Sequence, residues 1–150
     1  MKLLRGIVLF VFICLMLGCT TMGDKYVELH GYTVKSWEQL AISELSTIVE
    51  SARNNSESWV SLPALYPQYL FKFHDLRNYS IRYSAQSIES NRKSTIIVVR
   101  DGFLDDSIRG DIHELVVEKI EGQWEIKNAK RAFRCWRGPD SAPYSVDTCP

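Results

Sequence analysis

The chain has 150 residues, of which 45% are hydrophobic, and both values are typical of a globular domain. Its 18 basic and 18 acidic residues give a formal net charge of zero. This balance argues against nucleic acid as a partner, and no polybasic stripe suited to acidic lipid is present.

The N-terminus has the pattern of an export signal. Lys2 and Arg5 precede an apolar run from Ile7 to Leu17, and no acidic residue occurs before Asp24. The run is too short for a spanning helix, which needs about 20 residues. Its length fits the core of a secretory signal peptide instead.

The junction that follows this run reads Leu-Met-Leu-Gly-Cys and ends at Cys19. It resembles the lipobox of bacterial lipoproteins, in which a small residue such as Gly18 stands immediately before the cysteine. Met16 and Leu17 depart from the commonest form of that motif. The resemblance implies cleavage between Gly18 and Cys19 and a diacylglyceryl group on the Cys19 thiol. The alternative is an ordinary secretory signal or an uncleaved anchor. In either case Cys19 would have no special role.

This resemblance implies a domain organisation and a location. Residues 1–18 would be the signal peptide, residues 19–26 a lipidated tether, and residues 27–150 a single α+β domain. Thr20, rather than aspartate, follows the cysteine, which in Gram-negative cells resembles outer-membrane cargo. We therefore expect a bacterial cell-envelope protein, lipid-anchored to the outer membrane and facing the periplasm.

The first part of the predicted domain contains a strand and the clearest helix. Val27–Val34 is compatible with a short strand interrupted by Gly31. Ser36 and Gln39 have the spacing of a capping box. Apolar residues then recur at helical spacing as far as Ala52, so the pattern predicts a helix from Ser36 to about Arg53.

An aromatic segment over residues 58–74 follows the helix. Pro63 and Pro67 forbid one long helix there, so we predict short turns lying over the core. The segment is also the best candidate for a ligand-binding or partner-binding surface. The alternative is that it completes the hydrophobic core. The candidate surface residues are Trp59, Tyr66, Tyr69, Phe71 and Phe73.

From residue 78 onward the apolar pattern predicts four antiparallel strands. The first alternates as a half-buried strand, and the second is apolar throughout, as in a central strand. Glu121-Gly122 predicts a tight hairpin between the last two strands. A one-residue bulge near Asn128-Ala129 would place both apolar groups of the last strand on one face. The predicted strands are Tyr79–Ala85, Thr95–Val99, Ile112–Ile120 and Gln123–Cys135.

Together these elements predict an α+β fold in which one main helix packs on one face of a four-stranded antiparallel meander. The order of elements resembles the cystatin-like and nuclear-transport-factor-2-like arrangements, in which a curved sheet wraps a helix. No sequence motif accompanies this likeness. The C-terminal tail resembles that of uncharacterised exported bacterial proteins, which implies no activity.

Two cysteines remain for pairing once Cys14 and the lipidated Cys19 are set aside. Export would place Cys135 and Cys149 in an oxidising compartment, where disulfides persist. We predict that they are bridged, which would stabilise the tail by about 3 kcal/mol in the chain-entropy model. A metal site is disfavoured, because no other cysteine or histidine is near them in the sequence.

No residue pattern in the chain predicts catalysis. The acids Asp101, Asp105-Asp106 and Asp111 fit a solvated loop, and they lack the spacing of a calcium site. The histidines His30, His74 and His113 lie in unrelated segments, and we interpret them as surface or satisfied core residues. The sequence thus predicts no catalytic residue, no metal and no cofactor.

The function expected from the sequence is a non-enzymatic structural or interaction module on the membrane, with an envelope protein as partner. The alternative is a small-molecule-binding or weakly enzymatic α+β cavity domain. Polar and titratable residues converging in a roomy pocket behind the helix would favour the alternative. A filled interior would favour the interaction module.

Overall fold

The computed structural model describes residues 26–86, 92–104 and 106–149. The predicted signal peptide, the cleavage site at Gly18 and the lipidation site at Cys19 lie outside the described residues. Within the described part, no helix has both the length and the apolar character needed to span a bilayer.

An antiparallel hairpin opens the described chain. Strand β1 (Val27–Leu29) pairs with β2 (Tyr32–Val34), so the predicted strand over 27–34 is two strands. The turn between them places both His30 and Gly31 at positive φ. Two successive positive φ values form the turn that matches the twist of a hairpin, and glycine adopts the second without a Cβ penalty.

The main helix, α1, spans Ile42–Asn54, and the predicted start at Ser36 is wrong. Strand β3 (Glu38–Gln39) occupies that segment and pairs with the last strand of the sheet. Ser36 does not cap a helix, because its hydroxyl accepts a hydrogen bond from the Val146 N–H at 3.1 Å. Long-range partners therefore outweigh the local capping pattern.

The aromatic segment forms short turns, as predicted. Two 3₁₀ turns, Ser58–Ser61 and Pro63–Leu65, lead into a five-residue helix, α2 (Tyr66–Leu70). Pro63 and Pro67 stand in the first turns of their elements, where the missing N–H removes no helical hydrogen bond.

Four further strands, all antiparallel, complete the sheet: β4 (Asn78–Ala85), β5 (Lys93–Asp101), β6 (Ile108–Ile120) and β7 (Gln123–Cys135). Its spatial order is β3-β7-β6-β5-β4, so the predicted four-stranded meander is present but the sheet has five strands. The fold is α+β as predicted, with two helices in the described residues instead of one main helix alone. Glu121 and Gly122, both at positive φ, form the predicted hairpin.

The predicted bulge in the last strand is confirmed, centred on Lys127. Val116 pairs with Asn128 while Val117 pairs with Ile126, so Lys127 is the extra residue. The insertion changes the side-chain parity of β7. Residues on both sides of it, Ile126 and Ala129 among them, therefore belong to one core cluster.

Both faces of the sheet are covered, which the predicted arrangement missed. Along β5, Ile96 and Val98 pack towards α1 and the aromatic segment. Ile97 and Val99 pack on the opposite face, against the hairpin and the C-terminal tail. Burial on both faces explains why β5 lacks a polar alternation. Strand β4 lies at the edge and is more exposed than predicted.

The C-terminal tail forms part of the second layer. The disulfide between Cys135 and Cys149 is present as predicted, with the two Cα atoms 5.4 Å apart. Between them the tail returns across the sheet. Tyr144 forms a parallel bridge with Val34, and Ser145 pairs with Phe133. The disulfide therefore fixes a segment that covers the hydrophobic core.

Candidate functional site

The five aromatic residues of the candidate surface have different environments. Trp59 and Tyr66 are buried in the core beneath α1, and Phe71 and Phe73 are half-buried. Only Tyr69 has a large exposed fraction, 50%, and its ring stacks on Trp59 with the centroids 4.4 Å apart. Of the five predicted surface residues, Tyr69 is therefore the one best placed to contact a partner.

A buried ionic cluster lies on the same side of the sheet. The Arg100 Nε donates to Asp111 Oδ1 at 2.9 Å, and its terminal nitrogen donates to Oδ2 at 2.6 Å. The His113 Nε2 lies 3.0 Å from Asp111 Oδ2. The side chains of Arg100, Asp111 and His113 are 14%, 4% and 3% exposed. Asp111 is therefore not a solvated loop acid, and that interpretation is wrong.

Strand register brings these three side chains together. Arg100 of β5 lies directly opposite Asp111 of β6, and His113 is two residues further along the same face. The Phe71 ring covers His113 with the ring centroids 4.4 Å apart. The Lys72 carbonyl accepts a hydrogen bond from Arg100 at 2.8 Å. The end of the aromatic segment thus covers the cluster.

The charges of the cluster are set by burial and by the ion pair. Burial alone would raise the pKa of the Asp111 carboxyl, but hydrogen bonds from His113 and Arg100 outweigh it, and the pKa is lowered. Burial lowers the pKa of His113, and Asp111 offsets only part of this effect. The His113 Nδ1 has no hydrogen-bond partner among the described residues. His113 is therefore not a satisfied core histidine.

The space around this cluster is filled. Polar and titratable residues do converge there, yet Phe71 covers them and no more than 14% of any of the three side chains is exposed. A substrate does not reach them in this conformation. The arrangement consequently favours a structural role for Arg100, Asp111 and His113.

A second polar site, here called the tyrosine cleft, lies on the opposite face of the sheet. It has a volume of about 150 Å³ and separates the N-terminal hairpin from strands β4 and β5. Tyr32 reaches across it, with its hydroxyl oxygen 3.5 Å from Ser80 Oγ. The lining residues are Tyr32, Asn78, Tyr79, Ser80, Val99, Asp101, Arg134 and Tyr144.

The tyrosine cleft combines a neutralised ion pair with an unpaired hydroxyl. The Arg134 guanidinium donates to Asp101 Oδ1 at 3.0 Å. Tyr144 is 2% exposed, and its hydroxyl has no partner among the described residues; nor has the Arg134 Nε. Burial raises the pKa of Tyr144 to about 12, so the hydroxyl remains protonated at neutral pH.

Sequence reasoning missed both sites because their residues are far apart in the chain. Asp111 and His113 differ in position by two, a same-face strand spacing that could have drawn attention to them. No local signal connects Tyr144 with Tyr32 or Asp101. The sequence predicted that the disulfide stabilises the tail that carries Tyr144. It did not predict that this tail lies over the sheet.

The described residues contain no group of three or more His, Cys, Asp or Glu side chains that could hold a metal ion. Comparison with protein-family models, with curated proteins and with solved structures finds no match to this chain.

Proposed function

We propose that this protein is a bacterial cell-envelope lipoprotein, anchored by lipid on Cys19 to the outer membrane and facing the periplasm. Its folded part would serve there as a non-enzymatic structural or interaction module. The observation that carries the proposal is the lipobox-type junction ending at Gly18 and Cys19. The bridge between Cys135 and Cys149 supports it, because disulfides persist in exported proteins.

The anchor has a simple physical basis. Each buried methylene contributes about 0.8 kcal/mol, and a single acyl chain gives only marginal membrane binding. Two or three chains on Cys19 would hold the body at the membrane essentially permanently. A domain held in this way meets envelope partners at high effective concentration.

The architecture supports a binding or structural module more than an enzyme. Apolar residues form the core beneath α1, and Phe71 covers the buried cluster of Arg100, Asp111 and His113. The helix followed by a four-stranded meander also supports the proposed likeness to cystatin-like and nuclear-transport-factor-2-like folds. That likeness concerns the order of elements and remains a prediction.

The test of the anchor is labelling of living cells with a clickable fatty-acid analogue. We expect label on the native protein, complete loss of label in Cys19→Ser, and unchanged label in the matched control Cys14→Ser. Label that persists on Cys19→Ser would overturn the proposed attachment point. Absence of label from the native protein would overturn the anchor altogether.

The partner surface can be tested by photo-crosslinking in intact cells. A benzophenone amino acid at Tyr69 should give a discrete covalent adduct with another envelope protein. The control position is Tyr26, because its exposed fraction of 51% matches the 50% of Tyr69. Equal adducts from both positions, or none from Tyr69, would contradict an interaction surface at α2.

A further inference from the structure

The tyrosine cleft contains polar groups that the folded chain leaves unsatisfied. Burying a hydroxyl or an N–H without a partner is unfavourable, and most buried polar groups in proteins are paired. Here both the Tyr144 hydroxyl and the Arg134 Nε lack partners in the described part of the chain. Both residues line the same cleft. Both atoms are closed to solvent in this conformation, so a ligand reaches them only when the cleft opens. An opened cleft would then offer two unfilled hydrogen-bonding positions to an oxygen-bearing ligand.

From this geometry we propose that the tyrosine cleft binds a single ring of a neutral sugar. The cleft volume of about 150 Å³ is that of a cavity that holds one six-membered ring. A pyranose ring is of comparable size. The cleft opens to solvent on one side, so substituents on the ring, or a continuing chain, can project outwards.

The charges of the lining favour a neutral ligand. Asp101 and Arg134 carry opposite charges and already pair with each other at 3.0 Å. The carboxylate of Asp101 would repel an anionic ligand, and the guanidinium of Arg134 would repel a cationic one. A zwitterion would have to break the existing ion pair. A neutral polyol is repelled by neither charge and leaves the ion pair intact.

The hydrogen-bonding groups of the cleft suit hydroxyl groups on the ligand. A protonated tyrosine hydroxyl both donates and accepts, as a sugar hydroxyl does. Tyr144 can therefore donate to one sugar oxygen, while the Asn78 amide and the Ser80 hydroxyl provide further donors and acceptors. An apolar ligand of the same size would leave the Tyr144 hydroxyl unpaired.

The hairpin provides a way into the site. The Tyr32 and Ser80 oxygens are 3.5 Å apart, the long limit of a hydrogen bond, so a ligand hydroxyl can replace this contact at little cost. The rings of Tyr32 and Tyr144 meet edge to face with their centroids 6.1 Å apart. A modest outward shift of the Tyr32 side chain would expose the hydroxyl of Tyr144 to the ligand.

The test is a titration of the full-length protein, purified in detergent, with N-acetylglucosamine and with glucose. Saturation-transfer NMR should detect binding in the millimolar range for at least one of these neutral sugars. Glucuronate and glucosamine, which carry opposite charges, should bind at least tenfold more weakly. Equal binding of the charged sugars would overturn the assignment of a neutral ligand, and no transfer to either neutral sugar would overturn the site.

The decisive variant is Tyr144→Phe, with Tyr26→Phe as the matched control outside the cleft. We expect Tyr144→Phe to weaken sugar binding about fivefold to tenfold, the range of one hydrogen bond. Its melting temperature without sugar should be equal or higher, because the unpaired hydroxyl is gone. Unchanged affinity in folded Tyr144→Phe would refute the role of this hydroxyl.

The proposal does not depend on the lipid anchor. Cys19→Ser protein should bind the sugar with the affinity of the native protein, because Cys19 is not part of the cleft. Failure of sugar binding would leave the result of fatty-acid labelling unaffected. Failure of labelling would likewise leave the sugar titration intact.

Discussion

Removal of the Asp111 carboxylate is the sharpest perturbation of the buried cluster. In Asp111→Ala the Arg100 guanidinium loses two charge-assisted hydrogen bonds, of 2.9 and 2.6 Å. The His113 ring loses its contact with the carboxylate at 3.0 Å. Breaking a buried ion pair by removing one partner costs about 3–5 kcal/mol. Because the Arg100 side chain is 14% exposed, water can reach it, and we expect the lower end, about 3 kcal/mol.

Urea unfolding at pH 7, followed by tryptophan fluorescence, measures this loss as a drop in the free energy of unfolding. The control is Asp147→Ala, which breaks the exposed contact with Lys35 at 3.4 Å and should cost less than about 1 kcal/mol. A loss below about 1 kcal/mol for Asp111→Ala would refute the reasoning.

A double replacement separates the buried charge from simple loss of packing. Replacing an ion pair by apolar residues of similar volume is often neutral. The variant Arg100→Met with Asp111→Leu should therefore be clearly more stable than Asp111→Ala. If the two are equally unstable, an uncompensated guanidinium is not the cause of the loss.

Three further predictions concern pH, the disulfide and sorting. The pKa values of His113 and Asp111 are both lowered in the folded protein, so the unfolded chain binds protons more readily. The melting temperature should fall as the pH drops below about 6.5, and fall further below about 4, whereas an unchanged melting temperature between pH 7 and pH 5 would contradict the burial of His113. Replacing both Cys135 and Cys149 by serine should cost about 3 kcal/mol and make the tail sensitive to protease, and a tail as resistant as that of the native protein would speak against its dependence on the bridge. Thr20→Asp should move the labelled protein from the outer-membrane to the inner-membrane fraction, and no change in distribution would exclude the proposed sorting role of this position.

Local patterns in the sequence predicted the elements that depend on local chemistry. The continuous β-branched run in β5 predicted a central strand, and β5 lies between β4 and β6 in the sheet. The Glu121-Gly122 pair predicted its hairpin, and the change of apolar parity in β7 predicted the bulge. The pairing of Cys135 with Cys149 followed from elimination among the cysteines and is present in the structure.

The features that the sequence did not predict depend on contacts between residues far apart in the chain. The capping pattern at Ser36 failed because that hydroxyl binds the tail at Val146. Trp37, which lies within the range predicted as helix, packs instead against the hydrophobic cluster on the other side of the sheet. The burial of Asp111 depends on Arg100, which only the strand register brings opposite to it. Such pairings leave no periodic signal within one segment.

The most direct test of the proposed identity as a lipoprotein is the intact mass of the N-terminal fragment of the native protein. We predict a fragment that begins at Cys19 and carries two or three acyl chains. A fragment that begins at Met1 with a free thiol on Cys19 would contradict the proposed anchor and its location at the membrane.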